Sequence, residues 1–259
     1  MKIVEPKVEI ITEQNPLKRV EIAGRTCWQS EGKMTEDSAL PFVQRLIARG
    51  HMTPLEHARI DIPISEMDDL EKGRLVFPYG FESRCFYDLP KNDETWPINI
   101  RDYLAIGGDI QRVADGEFPM ANDFMTVRFI CDRAIANGLV RHRIFSFCQT
   151  STRYVCYSGD IEFVLPVPFD KYETGEETLW RWRRCCEKAE ASYHELLSLG
   201  SSPQEARNVL PLSLKTELVM TGILGDWDTL IKMRSDKAAH PQMQYLMKLL
   251  KEEMEKTNV

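Results

Sequence analysis

Between Arg128 and Arg153 the chain places five arginines (Arg128, Arg133, Arg141, Arg143 and Arg153) against a single acid, Asp132. The whole chain of 259 residues carries a formal net charge of −7, so a concentrated positive segment sits in an acidic protein. Guanidinium groups offer planar, bidentate donors to phosphates and carbonyls. A small polyanion such as a nucleotide phosphate suits that contrast, whereas the acidic remainder would repel a DNA or RNA backbone. The competing readings are a nucleotide- or RNA-binding module without catalysis and, more plainly, solvated arginines at a helix end. Arg141, His142 and Arg143 are adjacent, so on a helix they diverge by about 100° each. In extended chain the two arginines share a face and His142 takes the other. Ser151 and Arg153 alternate in the same sense, which pairs a hydroxyl with a guanidinium. Ser151 lies in no Gly-x-Ser-x-Gly elbow, so hydrogen bonding to a ligand is a better role for it than nucleophilic attack.

Other reactive residue types are sparse. His51, His57 and His142 could serve a metal hydrolase, but no tight ligand motif surrounds them and no metal is expected. Glu56 and His57 either contact a ligand or order the turn before a strand. The cysteines number 7, an odd count without a C-x-x-C pair, which reads as reduced thiols. Cys148 lies within the arginine-rich segment, where a thiolate would be favoured.

The elements that must position these residues follow from periodicity. A strand is expected over Val8 to Ile11, and a helix over Thr35 to Arg49, with Pro41 an awkward member of its early turns. Ala58 to Ile64 alternates as a half-buried strand, and Phe124 to Cys131 is rich in branched and aromatic residues. A helix from Ala134 is expected to run to Arg143. Glu177 to Leu199 gives a helix with Leu179, Trp182, Cys186, Ala189, Tyr193 and Leu196 on one face, closed by Gly200. Ser202 to Glu205 is a capping box, and Pro211 must kink or divide the helix that it opens. A last amphipathic helix begins at Pro241. Residues Ser65 to Asn122 are rich in Pro, Gly, Asp and aromatics and read as an inserted excursion of short strands and loops. Strands interleaved with helices over this length give an α+β class, as one catalytic domain spanning 1–259 with an insertion at about 65–122. With 28% charged and 43% apolar residues, and no membrane-span or signal-peptide pattern, a cytoplasmic protein is expected.

The segment RHRIFSFCQTSTRY, Arg141 to Tyr154, resembles the signature of the flavin-dependent thymidylate synthases: Arg-His-Arg, then Ser after seven residues, then an Arg-Tyr pair. Three further pieces fall in the family's order: GHMTPLEH (Gly50 to His57), EARNVLPLSL (Glu205 to Leu214) and KMRSD (Lys232 to Asp236). The chain departs from the commoner pattern at Gly138, Cys148, Gln149 and Ile223-Leu224-Gly225.

The resemblance implies a mixed or antiparallel sheet flanked by helices, assembled as a homotetramer with shared active sites. It implies methylation of dUMP to dTMP, with methylenetetrahydrofolate as carbon donor and NADPH as reductant through FAD. Arg141, His142 and Arg143 would hold FAD with Gln149 beside it, and His51 and Thr53 would reach the flavin from a neighbouring subunit. Gln149, Thr150, Ser151, Thr152 and Arg153 would line the nucleotide pocket, which Arg141 also borders. Arg207 would bind the phosphate. Arg234 would be catalytic, facing the uracil carbonyl where negative charge develops. The same resemblance makes Cys148 part of the pocket wall and not a nucleophile. No nucleic acid or membrane partner is implied.

Overall fold

The computed structural model describes residues 1–66, 94–166 and 175–258. Its centre is an antiparallel sheet built from four strands: β2 (Lys7–Ile10), β5 (Phe124–Asp132), β6 (Ser146–Gln149) and β8 (Lys215–Ile223), in the order β2-β5-β8-β6. The pairing of β5 with β8 runs from Phe124↔Ile223 to Asp132↔Lys215, and β6 adds on the far side with Ser146↔Thr221 and Gln149↔Leu218. Two smaller sheets flank it. β1 (Lys2–Val4) pairs in parallel with β7 (Glu162–Val164), and β3 (Arg59–Pro63) pairs antiparallel with β4 (Thr95–Asn99). The α+β expectation with a mixed or antiparallel sheet therefore holds.

Side chains alternate across the central sheet and send its two faces to different layers. One face carries Met125, Val127, Phe129, Leu218 and Met220 into the main core. Helices α8 (Leu224–Arg234) and α9 (Pro241–Thr257) close that core with Trp227, Leu230, Leu246 and Leu250. Burial of each such side chain contributes roughly 1.5 to 3 kcal/mol. Val219 and Cys148 face the opposite side, against Ala23 and Cys27 at α1 (Pro16–Thr26). Phe145 is wedged edge-on to Trp227 at 4.8 Å. A Cβ on Gly222 would stand 2.3 Å from the Phe145 ring, so the glycine is required by this close approach.

Several elements differ from the sequence-based expectation, each for a local reason. The second helix, α2 (Ala39–Ala48), starts four residues later than expected, which moves Pro41 into the first turn, where a missing N–H costs nothing. α1 is unanticipated, although Asn15 caps it and Pro16 occupies its first position. The described part of the 65–122 segment contains, besides β4, two short helices, α3 (Ile100–Ala105) and α4 (Ile110–Ala114), capped by Asn99 and Asp109. They are absent from the expected strands and loops; residues 67–93 lie outside the described residues. The helix expected to reach Arg143, α5 (Arg133–Leu139), ends at Leu139, because the chain must become extended at Ser146 to join β8.

The long helix α6 (Gly175–Ser198) buries Cys186 and Tyr193, with Trp182 packed beside them. The capping box at Ser202 is formed, and α7 (Pro203–Ala206) gives way to a 3₁₀ turn over Arg207–Val209 before Pro211. Among the described residues no helix is long and apolar enough to cross a membrane.

Candidate active site

The motif segment leaves α5 through tight turns, with the His142 N–H on the Leu139 carbonyl at 3.0 Å and the Phe145 N–H on that of His142 at 3.1 Å. This path is neither the helix nor the simple extended chain considered for Arg141 to Arg143. Arg141 and Arg143 are exposed, and among the described residues neither has an acidic partner within ion-pair distance. His142 is half-buried and turns to the end of α8. The Arg234 Nε donates to His142 Nε2 at 2.8 Å, and a terminal nitrogen of Arg234 approaches the Gly138 carbonyl at 3.4 Å. Two motif residues separated by ninety-odd positions are thereby joined. Beside them lies an open pocket of about 590 Å³, lined by Thr229, Lys232, Met233, Arg234 and Asp236 among others, a size suited to a small-molecule ligand.

Since Arg234 donates, His142 Nε2 must be unprotonated. Burial first, and the Arg234 charge second, hold the imidazole below its ordinary 6.5. The neutral contact is therefore intact above pH 6.5 and is lost as pH falls through the depressed value. An NMR titration should therefore find the His142 imidazole charging below the ordinary range. His142→Ala removes the acceptor, so no acid-dependent change should remain at the Arg234 guanidinium; a His142 titration above 6.5 would contradict the assigned contact.

A second cluster gathers at the end of β6. Arg207 donates to Thr152 Oγ1 at 3.0 Å. Gln149 donates to Thr216 Oγ1 at 3.2 Å, and the buried Thr150 hydroxyl reaches the Thr26 carbonyl at 3.3 Å. Arg133, at the start of α5, approaches both the Thr150 carbonyl and Thr216 Oγ1 at 3.4 Å. The sequence reading counted this arginine without giving it a role. Ser151 and Arg153 do not lie along an extended strand as expected: the chain turns, the Arg153 N–H donates to Ser151 Oγ at 3.3 Å, and the guanidinium sits 5.4 Å over Tyr154, exposed.

The Gly50 to His57 segment is tied to the motif strand from the other side. Glu56 accepts from the Ser146 hydroxyl at 2.7 Å and from Arg101 at 2.5 Å. His57 Nδ1 and Thr221 Oγ1 are 2.8 Å apart, and Thr221 continues to Thr126 at 2.9 Å. These contacts support the ordering role for Glu56 and His57. Arg101 had no local signal, since only the fold brings α3 to this turn. His51 is exposed and stacks on Trp28, with ring centroids 6.0 Å apart and planes 22° from parallel. Thr53 is exposed at the start of a 3₁₀ turn. No hydrogen bond joins either to Arg141 or Arg143 among the described residues.

Cys148 is 3% exposed. The neighbouring Cys27 thiol, together with burial, pushes Cys148 well above the usual thiol range, and the same neighbour draws Cys27 down. The arginines nearby in sequence therefore do not make Cys148 a thiolate, because the Cys27 thiol and burial on the α1 side of the sheet act the other way.

Fold and site together define an α+β protein with a central antiparallel sheet, in which arginines from separate elements meet motif residues at two places, Arg234 at His142 and Arg133 with Arg207 at Thr150 to Thr152. The sequence profile of the family described as thymidylate synthase complementing protein matches residues 9–104 and 118–258, and the chain belongs to that family. Among curated relatives, the flavin-dependent thymidylate synthase of Pyrococcus furiosus is 27% identical over 127 residues, covering 49% of this chain and 52% of the relative. The enzyme of the same name from Corynebacterium glutamicum is 33% identical over 134 residues, covering 46% and 52%. That from Mycolicibacterium gilvum is 25% identical over 244 residues, covering 88% and 70%. The chain thus spans about half the length of the first two of these relatives.

Proposed function

We propose that this protein is a flavin-dependent thymidylate synthase, converting dUMP to dTMP with methylenetetrahydrofolate as carbon donor and NADPH as the source of the reducing hydride. The observation that carries the reading is the Arg234–His142 contact, which joins the family's late arginine to its Arg-His-Arg motif at the edge of a ligand-sized pocket. Membership of the family and the names of its relatives support the flavin and the pyrimidine product.

The residues present fit FAD. Arg141 and Arg143, exposed and without acidic partners among the described residues, suit its diphosphate, and the exposed His51 ring over Trp28 suits a planar ring system. Bound flavin would supply hydride transfer between NADPH and the pyrimidine carbon unit. His142, neutral, holds Arg234 by Nε, leaving the terminal nitrogens to oppose negative charge as it develops on the uracil carbonyl. Arg207, steadied by Thr152, receives the nucleotide phosphate, with Gln149, Thr150, Ser151 and Arg153 around it. The outward display of His51, Thr53, Arg141 and Arg143 suits a site completed by a neighbouring subunit of a homotetramer.

The absorption spectrum tests the reading: purified protein should be yellow, or turn yellow with added FAD, and NADPH should bleach it. Colourless protein that takes up no FAD would overturn the assignment. The buried, raised thiol also makes Cys148 a wall residue, so Cys148→Ala should keep most turnover at saturating FAD and no nucleotide adduct should map to it. Complete loss of methylation with normal ligand binding, plus an adduct on Cys148, would replace this mechanism by covalent activation.

A further inference from the structure

Arg133 and Arg207 reach the same three-residue stretch from different elements. Arg133, opening α5, approaches the Thr150 carbonyl, and Arg207, in the 3₁₀ turn after α7, binds the Thr152 hydroxyl. Two like charges thus face one short segment, a placement that an anion between them would favour. The nearby acids are occupied. Asp132 caps α5 at the Ile135 N–H, 2.8 Å away, and accepts from Gln242 at 2.8 Å. Glu162 and Glu217 both pair with Lys215, at 2.7 and 3.0 Å. Among the described residues neither Arg133 nor Arg207 has a carboxylate within ion-pair distance.

The protein itself uses little of the donor capacity of either arginine. A guanidinium carries five N–H donors. Arg133 commits one terminal nitrogen, to two contacts of 3.4 Å that are at the long limit for a hydrogen bond, and Arg207 commits one terminal nitrogen at 3.0 Å. The Nε and second terminal nitrogen of each have no protein acceptor among the described residues. Thr150 and Thr152 are buried, so the segment that both arginines grip is rigidly placed.

We propose that Arg133 is a second phosphate ligand beside Arg207, and that the pair selects a dianionic phosphate monoester over an uncharged nucleoside. This rests on the nucleotide reading given above and adds to it a second phosphate-binding residue. A phosphate monoester carries about −1.5 to −2 charges at neutral pH, which two guanidiniums match, and forked donors can engage its oxygens in pairs.

Calorimetric titration of the full-length FAD-loaded enzyme with dUMP, deoxyuridine and inorganic phosphate tests this. Arg133→Gln should weaken dUMP at least tenfold, raise its KM with kcat at saturation nearly unchanged, and leave deoxyuridine binding as it was. Arg133→Lys should recover part of the loss, and it serves as the readout if the glutamine variant fails to fold. Equal weakening of dUMP and deoxyuridine would reduce Arg133 to a structural role and overturn the proposal, as would unchanged dUMP affinity. Wild-type enzyme that ignores dUMP but binds inorganic phosphate in an Arg133-dependent way would remove the nucleotide reading and keep the phosphate site. Absence of phosphate binding to wild type would overturn the site itself.

Discussion

Arg234→Lys is expected to slow methyl transfer at least tenfold, about 1.4 kcal/mol or more of transition-state stabilisation, while flavin reduction by NADPH changes much less. The reason is geometric. Arg234 uses Nε for His142 at 2.8 Å and one terminal nitrogen for the Gly138 carbonyl at 3.4 Å, so its planar fork is held while other donors remain for a ligand. A lysine carries the charge at a single point. It cannot bind His142 through an internal nitrogen and still present a donor beyond it, so the charge would remain but its placement would not. Rapid-reaction measurements of the two half-reactions distinguish the cases. Equal loss in both would move Arg234 from the pyrimidine to flavin binding or to folding.

Glu21→Gln is expected to lower stability by about 3 to 5 kcal/mol, the usual penalty for removing one partner of a buried ion pair. Glu21 is 0% exposed, and its Oε1 accepts from Arg25 Nε at 2.7 Å and from a terminal nitrogen at 2.6 Å. Its other oxygen accepts the Ser38 hydroxyl at 2.9 Å, joining α1 to the start of α2. Glutamine keeps the volume and leaves the Arg25 charge uncompensated. That amount is a large share of the roughly 5 to 15 kcal/mol that a domain possesses, and thermal melting should shift down by roughly 10 °C. The loss should extend to the nucleotide side, since the Thr26 and Cys27 carbonyls at the end of α1 accept from the Thr150 hydroxyl and the Ser151 N–H. A shift of under 1 °C would show that the pair contributes nothing. Replacing both partners, as in Glu21→Gln with Arg25→Met, should recover much of the loss, because no unpaired charge then remains.

What the amino-acid sequence determined by itself was the material that depends on near neighbours along the chain. The branched and aromatic content of Phe124 to Cys131, the helical stripe through Cys186 and Tyr193 and the capping box at Ser202 are each local, and each is present in the fold. The same holds for the α+β class and for the spacing Arg-His-Arg, seven residues, Ser. Asn15-Pro16 was equally legible as the start of a helix, and the sequence reading missed it. The helix expected to be kinked or divided at Pro211 instead ends at Ala206. Tertiary structure decided what depends on partners far along the chain. No local pattern could bring Arg234 to His142, Arg101 to Glu56, or Arg133 and Arg207 to one three-residue segment, because each meeting follows from strand register and from which face of the sheet a helix covers. Cys148 shows the physical reason most directly. Its neighbours in sequence include arginines that favour a thiolate, but alternation on β6 turns it to the α1 side, where burial beside Cys27 outweighs them and keeps the thiol protonated.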